Sequence, residues 1–319
     1  MRPTVRVKGS TRSATHSPSS FLLVKRGRRA LRERRCIVSY TPLPPRPSLE
    51  LLRKRAKRRL TDLRVASPEA RLFDAQLQLA REHGFSSWRA LKEQIDRVRR
   101  EGRFRADGSP AHLPDETVIN GWPDFTSERP LKVLVSGCLT GLPVGVEGKP
   151  YGEYPPIVRF LARPEVDAVT FCPEHFAFGT PRDCPDIHGG DGYDVLDGRA
   201  RVLSEAGQDW TDAMVEAARQ MLRIAQAHQA RLALLQDISA ACGSQVIYRG
   251  ARKAGAPHQV GAGVCAALLI RNGIAVISQR DFKSFDLILR KLDPARSPRP
   301  DLRDHHQNDW YRTFFGGDG

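Results

Sequence analysis

Three short apolar runs, at 131–135, 166–171 and 232–238, punctuate the second half of the chain, with helical patterns between them. Runs of Val, Ile and Leu without polar alternation predict strands buried on both faces, as in a parallel sheet. This half reads as a strand at 131–136, a helix near 154–162, a strand at 166–172 and a polar loop at 179–198. A short strand at 199–203, a long helix at 210–229 and a strand at 231–238 follow. A helix at about 260–272, a strand at 274–278 and a helix at 282–291 close it. The alternation predicts an α/β fold: a Rossmann-like parallel sheet with right-handed crossovers and helices on both faces.

Upstream the period changes to that of a helix. Pro44, Pro45 and Pro47 stop the chain, Ser48 is a candidate N-cap, and Leu49, Leu52, Ala56, Leu60 and Leu63 follow at helical spacing. A second helix is expected from about 68 to 83, with Phe73, Leu77 and Ala80 on one face and Gly84 as its stop. A third begins at 86–88 and presents Trp88, Leu91 and Ile95. The expected organisation is a small all-α module at 43–100, a linker at 101–130 and the α/β domain at 131–293. A tail at 294–319 follows, with Trp310 and Tyr311 as aromatic anchors.

Charge divides the chain in the same way. Of the net +15 over 319 residues, residues 1–105 hold 28 Lys and Arg against 9 Asp and Glu, whereas the remainder is mildly acidic. Residues 1–42, rich in Arg, Ser and Pro, cannot bury enough apolar surface to offset their ordering entropy, so a disordered basic arm is expected there. A transit peptide is the functional alternative. RNA binding through residues 1–105 is the partner that this charge would suit, while the acidic remainder is not expected to bind nucleic acid. No apolar stretch approaches the roughly 18–20 residues of a membrane span, and the apolar stretch at 21–24 is too short for a signal peptide. The chain is therefore read as cytoplasmic and its six cysteines as thiols.

Three of those thiols, Cys138, Cys172 and Cys242, each sit where an apolar run gives way to a loop. Ligands of parallel sheets bind beyond the carboxyl ends of the strands, so the three are expected to converge on one edge. Three soft donors in one place suit a metal or an iron–sulfur cluster. The separations of 34 and 70 residues exclude a ferredoxin-style run, and no paired spacing of the structural zinc type occurs. Glu174, two residues after Cys172, is a candidate general acid or base. Ser239, three before Cys242, could reach the same ligand. Cys184, in the loop after Glu174, is the one rival ligand; Cys265 reads as helix core and Cys36 belongs to the arm. Neither a glycine-rich dinucleotide fingerprint nor a phosphate-cradling Gly-Lys-Ser/Thr loop is present.

Several motifs in order resemble the bacterial family catalogued as domain of unknown function 523 (DUF523), whose members include 2-thiouracil desulfurases. The resemblance spans about 131–292. It rests on Val135-Ser136-Gly137-Cys138-Leu139-Thr140-Gly141, on Phe171-Cys172-Pro173-Glu174 with Gly179-Thr180-Pro181-Arg182, and on Ser239-Ala240-Ala241-Cys242-Gly243-Ser244. Ala266-Ala267-Leu268-Leu269-Ile270-Arg271-Asn272-Gly273-Ile274 matches its closing helix and strand. The resemblance implies a [4Fe–4S] cluster held by Cys138, Cys172 and Cys242 with one iron lacking a protein ligand. It further implies a catalytic carboxylate at Glu174 and hydroxyl at Ser239. The chain departs from the family at Gly137, where Ala is usual, at Gly145-Val146-Glu147-Gly148, and at Ala240-Ala241. The helical module is similar to one preceding the repeats of some bacterial ankyrin-repeat proteins. The implied activity is removal of sulfur from a thiocarbonyl compound such as a thiolated pyrimidine. The alternative is a non-catalytic iron–sulfur or metal protein with a basic RNA- or partner-binding module.

Overall fold

Alternation of side chains along the apolar runs assigns each strand two buried faces. The computed structural model describes residues 41–315, apart from 42, 45, 46, 101, 151–153 and 253–256; the expected basic arm and Cys36 lie outside the described residues. β1 (Leu131–Ser136), β2 (Val166–Phe171), β5 (Leu232–Leu235) and β8 (Ala275–Ser278) form a four-stranded parallel sheet in the order β2-β1-β5-β8. Leu134, Ala233, Leu235 and Val276 point to one face and pack with α8 (Thr211–Ala227) and α9 (Val264–Arg271). Val133, Val135, Leu232, Leu234 and Ile277 point to the other, against α5 (Pro155–Leu161) and α10 (Phe282–Leu292). On that side Phe160 meets Phe285 edge to face at 5.2 Å. Both faces are covered, as the alternation of strands and helices requires.

Edge position changes one expectation. β2 pairs only with β1, and past Val166 its residues are partly exposed rather than buried. The expected strand at 199–203 forms as β4 (Arg201–Leu203), but it pairs antiparallel with β3 (Asp186–His188) outside the main sheet. A second antiparallel ribbon joins β6 (Val246–Tyr248) to β7 (His258–Val260). Both ribbons consist of three-residue strands within polar loops, and of the four only β4 shows in the apolar pattern. The loops also hold α6 (Pro173–Phe178) and α7 (Gly192–Leu196).

The helical module is built on α1 (Leu49–Ala66), α2 (Leu72–Glu82) and α3 (Trp88–Arg100). Ser48 caps α1 by accepting from the Leu51 N–H at 3.2 Å. A turn in which the Ala70 N–H bonds the Ser67 carbonyl delays α2 to Leu72, four residues past the expected start. Leu52, Ala56, Leu79, Ala80, Leu91 and Ile95 make the module's core. The module is tied to the sheet domain by Arg97, 2.6 Å from the buried Asp194, and by Arg249, which donates to the His83 carbonyl at 2.6 Å. Residues 102–130, expected as a linker, contain α4 (Glu116–Asn120) and send Leu113, Ile119 and Trp122 into the core beneath β1. The expected irregular tail contains α11 (Asp309–Phe315), whose Tyr311 is buried while Trp310 is partly exposed. Among the described residues no helix is long and apolar enough to cross a membrane.

Candidate active site

Three loops leave the carboxyl edge of the sheet side by side, because β1 is in register with β2 at Ser136 and Phe171 and with β5 at Val135 and Leu234. After β1 the chain closes a single 3-10 turn, and Cys138 on that turn is 8% exposed. After β2, Cys172 serves as N-cap of α6: Pro173 fixes the first helical position and the Cys172 Sγ accepts from the His175 N–H at 3.4 Å. After β5 the chain turns sharply at Ile238, a β-branched residue held at φ 57°, a conformation costing on the order of 1–3 kcal/mol. Past it, Cys242 is 5% exposed. Gly243 follows because a Cβ there would lie 2.7 Å from the Val246 carbonyl oxygen and 2.8 Å from that of Ser239.

Cys138 and Cys172 pack with the core of one sheet face and Cys242 with that of the other. All three line a cavity of about 250 Å³ that also takes in Glu174, Ser239 and Arg182. The five residues singled out from sequence are thus brought together. Within the cavity the Ser239 hydroxyl donates to Glu174 Oε1 at 2.9 Å and accepts from the N–H groups of Ala241 and Cys242 at 3.2 and 3.1 Å. Glu174 Oε2 accepts from Arg182 Nη2 at 2.8 Å. The other guanidinium nitrogen, Nη1, donates to the Val144 and Gly179 carbonyls and to Thr180 Oγ1, at 3.0, 3.2 and 3.0 Å. One arginine therefore binds the loop after β1 to the loop after α6 and fixes the carboxyl plane of Glu174.

Burial sets the chemistry of the sulfurs. It pushes the Cys138 thiol up to about 12, with Cys172 and Glu174 adding to the shift. Cys172 and Cys242 are raised too, again by burial first. Thiols raised in this way are poor nucleophiles, and a soft metal is what would draw off their protons. Among the described residues no group of three or more His, Cys, Asp or Glu side chains is arranged to hold a metal ion. Three thiols lining one cavity have the soft donor chemistry that an iron–sulfur cluster would take. Cys184 is not in the cavity lining; its Sγ lies 4.0 Å from Arg252 Nη1, on a guanidinium that does line it. Cys265 is fully buried in the α9 core.

Arg182, Arg252, Gln236 and Tyr154 also line the cavity, and no role was legible for them in the sequence. Arg182 stands in the quoted Gly179-Thr180-Pro181-Arg182 motif, but a single arginine in a Pro-containing loop carries no charge pattern of its own. Arg252 sits in a short basic run that reads as solvated surface.

A family model described as 2-thiouracil desulfurase matches residues 133–281. The uncharacterized protein YbbK of Bacillus subtilis (strain 168) is 37% identical over 150 residues, 47% of this chain and 96% of that protein. Among solved structures, a [4Fe-4S]-dependent thiouracil desulfidase, TudS, is similar at 32% sequence identity and a TM-score of 0.42. That match covers 50% of this chain and 97% of the other. The three cysteines, Glu174, Arg182 and Ser239 all fall within residues 133–281, whereas α1–α4 and α11 lie outside them.

Proposed function

Because this chain belongs to the 2-thiouracil desulfurase family, we propose that it removes sulfur from a thiocarbonyl compound, with a thiolated pyrimidine as the substrate class. Water replaces the sulfur: the thiocarbonyl becomes a carbonyl and the sulfur leaves as hydrogen sulfide, with no net redox change. Cys138, Cys172 and Cys242 would hold a [4Fe–4S] cluster, which when bound supplies a thiophilic Lewis acid within the cavity.

The chain's own residues supply the proton chemistry. Glu174 Oε1 is the base, taking a proton as water adds to the thiocarbonyl carbon and returning it to the departing sulfur. The Ser239 hydroxyl, fixed by two backbone N–H groups, donates its one proton to that same oxygen and so orients the carboxylate; once Glu174 has taken a proton, that hydrogen is free to turn to the charge developing on the substrate. Arg182 holds the opposite carboxyl oxygen and keeps Glu174 from swinging away. The observation that carries this reading is the Ser239–Glu174 hydrogen bond inside a cavity lined by three thiols, two of them buried and the third half-buried.

Anaerobically purified protein is expected to be brown, to contain iron and acid-labile sulfide in near-equal amounts, and to release sulfide from 2-thiouracil. Glu174→Gln should retain the iron and lose about 10²–10⁴-fold in turnover. Full activity in that variant would remove Glu174 from the mechanism. Colourless protein that retains zinc would replace the enzyme by a metal-binding role.

A further inference from the structure

The loop that presents Ser239 and Cys242 is closed by one buried carboxylate. Asp237 Oδ1 accepts from the N–H groups of Ser244, Gln245 and Val246 at 3.0, 3.3 and 3.4 Å, drawing the two ends of the loop together. Its second oxygen faces His305, whose Nδ1 lies 2.5 Å from Oδ2, and the His305 side chain is wholly buried. A carboxylate oxygen only accepts, so the proton of this bond sits on Nδ1. Burial pushes the Asp237 carboxyl up, but the interaction with His305, together with the backbone N–H groups of Ile238 and Gln245, outweighs it and holds the group below its ordinary range.

His305 belongs to the C-terminal segment, beyond the family-matched residues that end at 281. Its placement is determined from several sides. The His305 N–H donates to Asp281 Oδ1 at 3.1 Å, and its ring lies parallel to Trp310 at 5.5 Å and edge-on to Tyr311 at 5.7 Å. The neighbouring Asp304 accepts from the backbone N–H and the hydroxyl of Ser284 at 2.8 and 2.9 Å. Removing the His305 donor would leave a buried carboxylate with one oxygen unsatisfied, a cost that loop opening to water relieves.

We propose that His305 is a positioning residue for the site: through Asp237 it holds the Ser239–Cys242 loop closed, so the C-terminal segment of this chain completes a site whose reacting groups all lie within residues 133–281. This rests on the proposed function only in calling Cys242 a cluster ligand. The loop mechanics can be read without the cluster.

The test uses the full-length chain with His305→Asn, whose side-chain amide occupies the place of Nδ1–H, and His305→Phe, which keeps a ring and lacks the donor. After anaerobic removal of iron, alkylation of each cysteine by iodoacetamide is followed by mass spectrometry. In His305→Phe, Cys242 should react about tenfold faster, with Cys138 and Cys172 unchanged. His305→Asn should restore the slow rate. Should His305→Phe not fold, His305→Gln, whose amide lies where Nε2 lies, takes its place with the same expected loss. An unchanged Cys242 rate, a uniform rise at all three cysteines, or failure of His305→Asn to restore protection would overturn the proposal. The iron content of the wild-type protein is a separate readout: its absence would sink the cluster and leave the alkylation result standing.

Discussion

Lys54 on α1 lies 2.9 Å from Glu50, and Arg182 beside the cavity lies 2.8 Å from Glu174. The distances barely differ, yet the side chains of the first pair are 72% and 76% exposed and those of the second 3% and 14%. Solvent screens the first pair, and two long side chains lose rotamer freedom to form it. In the second pair the guanidinium is shut away from solvent and the carboxylate meets it only through the cavity, and Arg182 is also committed to two carbonyls and a hydroxyl. The helical module thus uses charge to stay solvated, with Arg53, Lys57 and Arg58 exposed on α1. At the carboxyl edge of the sheet, charge instead fixes the direction in which Glu174, the proposed base, points. Burial, not residue type, separates the two.

Breaking the buried pair should give the largest effect. Arg182→Met leaves Glu174 uncompensated and is expected to lower stability by about 3–5 kcal/mol, read from the urea midpoint. A loss below about 1 kcal/mol would put this pair in the same class as the surface ones.

A smaller, pH-dependent effect is expected between the two regions, where the half-buried His112 sits on the segment joining them. Burial pushes its imidazole down to about 4, with Arg105 and His306 adding to the shift against an opposing pull from Asp237. The unfolded chain takes up this proton near pH 6.5 and the folded one only near pH 4. The contribution is therefore present above pH 6.5 and lost as pH falls from 6.5 towards 4. Tm measured across that window should fall less steeply in His112→Asn than in the parent. Equal slopes would assign the acid sensitivity to other groups.

Lys54→Ala marks the low end of the comparison, with no measurable change in Tm. A clear drop would mean that α1 depends on its surface pairs rather than on the apolar face it buries through Leu52 and Ala56.

The apolar runs were enough to find the four sheet strands, because three of them are buried almost throughout and the edge strand β2 still keeps Val166, Val169 and Phe171 apolar. They revealed β4 but neither its antiparallel partner β3 nor the β6–β7 ribbon, whose three-residue strands are held by backbone hydrogen bonds that the side chains do not advertise. Leu113, Ile119 and Trp122 were also misleading: scattered among Gly, Pro and Asp they show no period, yet the fold buries all three. At the site, Cys138, Cys172, Glu174, Ser239 and Cys242 were legible because a thiol, a carboxylate or a hydroxyl at a strand end has few structural reasons to be there. Arg182 and His305 were not: Arg182 acts by a fork that joins Glu174, eight residues away, to the Val144 carbonyl, 38 residues away, and His305 acts through Asp237, 68 residues away.

By itself, then, the sequence determined the parallel sheet, the edge on which chemistry must lie and the five side chains gathered there. Strand composition and the geometry of parallel sheets point to the edge, and the resemblance to the desulfurase family implies the five side chains. Tertiary structure alone decided which groups hold those five in place: the Arg182 fork across two loops, the left-handed turn at Ile238, and the C-terminal histidine buried against Asp237. These depend on residues far apart in the chain meeting where water is excluded, and hydrophobic periodicity carries no record of such meetings.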